Sequence, residues 1–524
     1  MGYRLTIALL VFIGLCKAHG QEFVQQHVPN DSITSGSPLV RALPNGDLWM
    51  TWCSWDTRIN PWVSRLHVRK LDAAGQALAE LNVRLPLVAP VFQLEGAAVL
   101  PDGGLALAGN FDWHGLYIRV DANGTLAAAK QYDFGYIDRL MDVAVLADGS
   151  PVLVGYYNDG TTYWGAVMRT DPDGQVIAAL GHRFVGINSL HQKVRTTADG
   201  GLLVMGQDVA GNVFTDLHAV KMDSMGQVSW GRHFSGALLW PIEAVQHPDE
   251  GWTVLATQQV QDTIVSGAPV LISIAADGTV GSNTRLWAAP VESTFELAAS
   301  MCTREDGGLL VCARVGALES NAMFTLDSNG TVSTLARTVP DSTFAQRMNG
   351  YALSGGSMLL YGERFSATME EWAPLVARWD TANAFPCGSG MVPVVSDNIT
   401  LGLDTAMEQS LPNPVVLDIM AQLLPDTIGW TVELLCDVGT SVLEPATRTG
   451  SLIAYPIPAS DRLHVADLSG AEELFLMDVR GTTVQRWTRP FPAVLELSSV
   501  PDGLYLLRAT TGAVVRSARV VVQR

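Results

Sequence analysis

The chain has 524 residues, more than one compact core accommodates, so two or more folded units are expected. Hydrophobic residues at 48% against 16% charged exclude a disordered chain and a coiled coil. The formal net charge of −19 argues against nucleic acid and against an anionic membrane surface as partners, because both require a basic face.

Residues 1–20 read as a secretory signal peptide. Arg4 supplies the positive charge, Thr6 to Leu15 form an apolar run too short to span a bilayer, and Ala18 and Gly20 precede a cut at Gln21. The rival is a lipoprotein anchor on Cys16, against which Leu15 stands where a small residue should be. No later stretch is long and apolar enough for a transmembrane helix. The mature chain is therefore expected to be secreted or attached to the outer cell surface, as a monomer.

Residues 21–383 carry an internal repeat made of two hairpins. The first hairpin reads Leu43-Pro-Asn-Gly-Asp-Leu48, Leu100-Pro-Asp-Gly-Gly-Leu105, Ala147-Asp-Gly-Ser-Pro-Val152, Ala198-Asp-Gly-Gly-Leu202, Pro248-Asp-Glu-Gly-Trp252, Glu305-Asp-Gly-Gly-Leu309 and Leu353-Ser-Gly-Gly-Ser357. The second is a strand ending in Asp, two residues, then Gly, with glycines at 75, 124, 174, 226, 278 and 330. Ala275 replaces the Asp in the fifth copy, and Asn383 replaces the Gly in the seventh. Asp-Gly and Asn-Gly supply the positive φ angles of tight hairpins. Two hairpins per period of about 50 residues make a four-stranded sheet, and such sheets bury their faces by radial stacking. The expected fold is all-β: a seven-bladed β-propeller, with an open solenoid as the main rival. The seventh unit lacks a fourth strand before Phe385-Pro-Cys-Gly, and Glu22 to Val28 is expected to supply it and close the ring. These units resemble the propeller repeats of large secreted bacterial proteins, a resemblance specific for fold and nearly silent on activity.

Residues 384–450 lose the repeat and read as an irregular linker or a small β segment. Residues 451–524 contain Tyr455-Pro-Ile-Pro-Ala-Ser460, an apolar strand ending in Asp478 before Arg480-Gly481, Val500-Pro-Asp-Gly-Leu-Tyr505, and a final strand Ala518-Arg-Val-Val-Val-Gln-Arg524. This order of motifs resembles the type A C-terminal sorting domain of the type IX secretion system, with Ile457 where that family usually has Asn. The resemblance implies a small β-sandwich, recognition by the type IX translocon, and cleavage of the domain after export. On it Tyr455, Pro456, Pro458, Asp478, Gly481, Gly503 and Tyr505 shape a recognised fold and do no chemistry. The alternative is a plain adhesion sandwich.

After loss of Cys16 five cysteines remain, and an oxidising compartment allows disulfides. Cys387 and Cys436 bracket the segment after the repeats and are the expected pair. A bridge between Cys302 and Cys312 and two buried thiols are both open, and Cys53 is left over. No cysteine–histidine spacing resembles a zinc site. The turns at Asp121, Asp171 and Asp327 lack the further ligands of a calcium loop and read as hairpins, so neither metal nor cofactor is expected.

No Gly-x-Ser-x-Gly elbow, His-Glu-x-x-His or phosphate loop occurs. The connections between second and third strands hold Trp55, Asp56, Asp112, Trp113, His114, Tyr157, Asp159 and Glu363. Aromatic faces beside carboxylates suit sugars, so these are the candidate ligand-binding residues; the bland reading is that the aromatics cap sheet cores and the acids solvate the rim. The first functional expectation is a non-catalytic binding protein for a glycan or a protein. The alternatives are a polysaccharide-active hydrolase with carboxylates at the channel mouth, and a purely structural surface-layer component.

Overall fold

The computed structural model describes residues 23–523 apart from short internal stretches, chiefly 57–62, 85–91, 260–266, 289–295, 341–348, 381–389 and 435–448. The signal-peptide segment, Cys387, Cys436, Pro456, Pro458 and Gly481 lie outside the described residues. The chain divides into two bodies, residues 1–438 and 439–524.

The described structure is all-β, and the first body is propeller-like. Each of the first six repeats forms four antiparallel strands in chain order; the third, for example, pairs Asp138–Val145, Pro151–Asn158, Tyr163–Thr170 and Val176–Phe184. The seventh repeat takes its fourth strand from Phe23–Pro29, which pairs antiparallel with Glu371–Asp380 through Phe23–Arg378 to Gln26–Leu375. The expected closure by the chain's N-terminal segment is thus present.

Apolar side chains on these strands point alternately to two different neighbours. Val152 and Val154 of the third repeat pack with Val204 and Val220 of the fourth, while Leu153 packs with Ala106 and Tyr117 of the second. Among the described residues, separate cores lie between consecutive repeats. One joins Val40, Met50 and Trp52 of repeat 1 to Leu359, Tyr361 and Val376 of repeat 7, so the series of sheets is cyclic. Because both faces of each sheet are covered, a second strand such as Leu105–Phe111 is buried at every position.

The recurring motifs fix the turns. In the second hairpin, Asp121 Oδ1 accepts the backbone N–H groups of Asn123 and Thr125 at 2.9 and 2.8 Å, and Gly124 takes a φ of 86°. Asp72, Asp171 and Asp223 repeat this arrangement. These carboxylates hold their own turns, as the hairpin reading requires. Where Ala275 removes the acid, Asp277 accepts from the Thr279 N–H at 2.8 Å instead. The basic residue two positions before the Asp links turns of successive repeats. Arg119 bonds Asp102 of its own repeat and Asp173 of the next, and Arg378 donates to the Ala73 carbonyl across the ring closure.

The stretch after Ala384 contributes six strands to the outer edges of the repeats. Gly390–Asn398 lies along repeats 6 and 5, merging them into one nine-stranded sheet. Gly402–Asp404, Met407–Ser410, Val415–Asp418 and Leu424–Pro425 then pair with the outer strands of repeats 4, 3, 2 and 1. Trp430–Leu434 finishes on Phe23–Pro29 of repeat 7. The segment therefore runs once around the body in reverse order, and Lys130–Asp418 (2.7 Å) and Arg183–Glu408 (2.6 Å) pin it. Such a belt covers edges that are otherwise templates for association.

Cys53 and Cys312 are buried free thiols, and Cys302 is buried as well. In the second body a five-stranded and a three-stranded sheet share a core that includes Leu463, Leu474, Leu476, Leu495, Leu507 and Val520. Tyr505 is buried in it and donates its hydroxyl to the Pro501 carbonyl at 2.8 Å. Gly503 begins the strand Gly503–Thr511, and Tyr455 and Asp478 end the strands Ile453–Tyr455 and Glu473–Asp478.

Two outcomes follow from this architecture. A chain beginning at residue 30 is expected to melt far below one beginning at residue 21, because it loses repeat 7's outer strand and the belt's last partner; coincident melting curves contradict this. In the fifth repeat the left-handed position falls on Glu250, with a φ of 65°. Left-handed backbone costs a non-glycine residue roughly 1–2 kcal/mol, partly offset by glycine's unfolded-state entropy. Glu250→Gly is expected to raise stability by about 0.5–1 kcal/mol in denaturant titration.

Candidate functional site

Antiparallel connectivity sorts the loops between the two ends of the sheets. Hairpins joining strands 1–2 and 3–4, with their Asp-Gly turns, fall at one end. Hairpins joining strands 2–3, and the crossovers to the next repeat, fall at the other. Exposed aromatics gather at this second end over repeats 2 to 5.

Trp113 heads the group. It forms with Asp112 the two-residue hairpin between Leu105–Phe111 and His114–Val120, and both residues have positive φ, 66° and 51°. Asn-Gly adopts this turn at little cost, whereas Asp-Trp is strained there. The indole is 56% exposed, with the Arg139 guanidinium 5.2 Å from its ring centre. Trp164 repeats the theme, with Arg183 4.5 Å from its ring centre. Phe214 and Trp240 meet edge to face at 6.4 Å, and Tyr156 and Tyr163 at 6.0 Å.

The other sequence candidates distribute unevenly. Asp159 is exposed but occupied within its own turn, accepting from Thr161 and Thr162 N–H and from Trp164 Nε1 at 2.9–3.0 Å. These bonds outweigh slight desolvation and hold its carboxyl at about 2. Tyr157 is buried, stacked on Phe134 at 5.5 Å. Trp55 is half-buried in Leu48–Asp56, which Asp56 ends, and Glu363 is half-buried in Ser357–Ser366.

His114 lies where the hairpin meets the crossover between repeats 2 and 3. Its Nδ1 is 3.0 Å from Asp138 Oδ2 and 3.7 Å from Asp133 Oδ1. Burial raises the Asp138 carboxyl above its ordinary range, despite His114 and the Phe134 N–H. Among the described residues this is the one trio of His, Cys, Asp or Glu whose ligand atoms all lie within 4.8 Å of one another. Sequence reasoning named His114 but missed both acids, although Asp133 and Asp138 bracket one crossover.

The first strands of all seven repeats, with Tyr361, line an axial cavity of about 510 Å³. Its charges are engaged: Arg41 donates to the Ala97 and Val40 carbonyls. Arg195 forks onto Glu243 and donates to Asp142 Oδ2 at 2.8 Å. Burial opposes both ionised groups, but the pairing wins, leaving the Arg195 pKa raised and the Asp142 pKa lowered. Glu95, half-buried on the first strand of repeat 2, differs: burial pushes its carboxyl up against the pull of Lys193 and Arg139.

No family model and no curated protein matches the chain. Solved structures do. A polysaccharide lyase, Uly1, is 9% identical over 66% of this chain and 90% of its own, with a TM-score of 0.42. A protein of unknown function from Dyadobacter fermentans is 10% identical over 68% and 98%, with a TM-score of 0.38. An α-L-arabinanase from Penicillium chrysogenum is 14% identical over 70% and 99%, with a TM-score of 0.37. At these values the likenesses add nothing to what the sheets themselves establish.

A second polar concentration is buried in repeat 4. Asp208 accepts from Ser189 Oγ at 2.9 Å, His218 Nδ1 lies 3.1 Å from it, and His191 Nδ1 is 3.0 Å from His218 Nε2. The serine bonds the acid and not an imidazole, so the group lacks the serine–imidazole bond of a Ser-His-Asp triad. Burial is costly for charged histidines here and in the closing strand. It lowers His182 to about 4, His27 (in the closing strand) to about 3, and His191 well below its ordinary value. Unfolded histidines protonate near pH 6.5, so below that pH the unfolded chain binds protons these three refuse. Stability is therefore retained above about pH 6.5 and falls on acidification towards pH 4, by roughly 1.4 kcal/mol per pH unit for each fully uncompensated histidine. Denaturant midpoints at pH 7 and pH 5 check this; equal midpoints contradict it.

Proposed function

We propose that the first body is a seven-bladed β-propeller whose aromatic end is a ligand-binding surface. The protein is then a secreted or cell-surface binding protein and not an enzyme. On this reading residues 451–524 form the β-sandwich sorting domain of the type IX secretion system, shaped by Tyr455, Pro456, Pro458, Asp478, Gly481, Gly503 and Tyr505, and the translocon is a partner during export.

The observation that carries the binding reading is the segregation of side chains. One end of the sheets holds acidic turns whose carboxylates are spent on their own backbone. The other holds Trp113, Trp164, Phe214 and Trp240 in partly or largely exposed positions. Two of these indoles carry an arginine over the ring. Flat apolar faces ringed by hydrogen-bonding groups match a pyranose, which stacks on the ring and bonds through its hydroxyls. A glycan is therefore the preferred ligand, with a protein surface as the alternative. Asp112, Trp113 and His114 form the centre of the proposed site.

The competing hydrolase reading, with carboxylates at the channel mouth, would draw on half-buried Glu95, whose carboxyl burial pushes up against the opposing pull of Lys193 and Arg139. Loss of polysaccharide cleavage in Glu95→Gln would support it.

A glycan array probed with the mature chain tests the binding reading. Binding to one glycan class, weakened at least tenfold by Trp113→Ala, is expected. Binding unaffected by that change contradicts the assigned surface, and binding to no glycan moves the ligand to the protein class.

A further inference from the structure

We propose that His114, Asp133 and Asp138 bind one divalent transition-metal ion at the aromatic end of repeats 2 and 3, leaving coordination positions open beside Trp113. The trio mixes one imidazole with two carboxylates, a donor set that suits zinc or manganese better than calcium, which takes oxygen ligands almost exclusively. Two carboxylates neutralise a divalent charge.

The spacing matches. Metal–ligand bonds of about 2.1 Å in a tetrahedron place donor atoms about 3.4 Å apart. Here His114 Nδ1 lies 3.0 Å and 3.7 Å from the two carboxylate oxygens, bracketing that value. Both of these oxygens are also held by backbone amides. Asp133 Oδ1 accepts the Gly135 N–H at 2.7 Å, and Asp138 Oδ2 accepts the Phe134 N–H at 2.8 Å, as outer contacts of metal ligands commonly do.

An independent observation points to a missing partner. Asp138 is fully buried, yet its Oδ1 has no hydrogen-bond partner. A buried carboxylate oxygen without a partner is costly. His114 satisfies only the other oxygen, and Arg139, the neighbouring cation, sits over the Trp113 ring. An ion bound by both oxygens of this carboxylate would relieve the deficit. Its ligands would be three protein groups, with His114 and Asp133 partly exposed, so a water or a ligand oxygen completes the shell. This inference does not depend on the glycan reading, because the metal alone is the probe.

The test is calorimetric titration of the tag-free mature chain with zinc chloride, and separately with manganese chloride. One ion per chain is expected, with affinity reduced at least tenfold in both His114→Gln and Asp133→Asn. These two residues are partly exposed, so their variants are expected to retain the fold, which a thermal melt checks. Cobalt substitution supplies a second readout: a visible d–d band that disappears in His114→Gln. Absence of binding, or binding unchanged in both variants, overturns the proposal.

Discussion

A four-stranded sheet that is apolar on both faces is stable only with a neighbour on each side. A finite series of such sheets satisfies every member by closing on itself, and this chain does so without a covalent link. Trp52 and Met50 of the first repeat reach Leu359 and Val376 of the last, while the strand Phe23–Pro29 joins the last sheet. The closing strand also receives Trp430–Leu434, the end of the belt. Both ends of the first body therefore meet on one sheet, and its cores depend on that junction.

The hairpin half of the fold was legible because its determinants are local. An Asp that caps its own turn and a Gly two or three residues later leave a mark within five residues of sequence. The closing strand was legible for a different reason: the seventh repeat breaks at Phe385-Pro-Cys-Gly before a fourth strand can form. The belt left no such mark. Its strands are as short as Leu424–Pro425 and pair with partners hundreds of residues away, so neither length nor a neighbouring turn announces them. Their covering of outer edges, and not any internal periodicity, decides their conformation.

The candidate site divides in the same way. Trp113 and His114 stand out in sequence because they lie beside a carboxylate in a connection between second and third strands. Asp133, Asp138 and Arg139 belong to a crossover and a first strand, and become neighbours of that hairpin only when repeats 2 and 3 stack. Tyr157 illustrates the converse. Side chains alternate along Pro151–Asn158, so Tyr156 is partly exposed and its successor is buried. Identity alone did not distinguish them; strand parity did. The polarity between the two ends of the sheets is likewise a consequence of connectivity, since every Asp-Gly turn joins an odd-numbered strand of its repeat to the even-numbered strand that follows.

Closure by the N-terminal strand is the claim from which the cores, the belt and the aromatic end all follow. Hydrogen–deuterium exchange of the mature chain measures it most directly. The account predicts that amides of Phe23–Pro29 exchange as slowly as those of Glu371–Asp380, their partner, and that Trp430–Leu434 is protected with them. Rapid exchange across Phe23–Pro29 in an otherwise protected first body would contradict it.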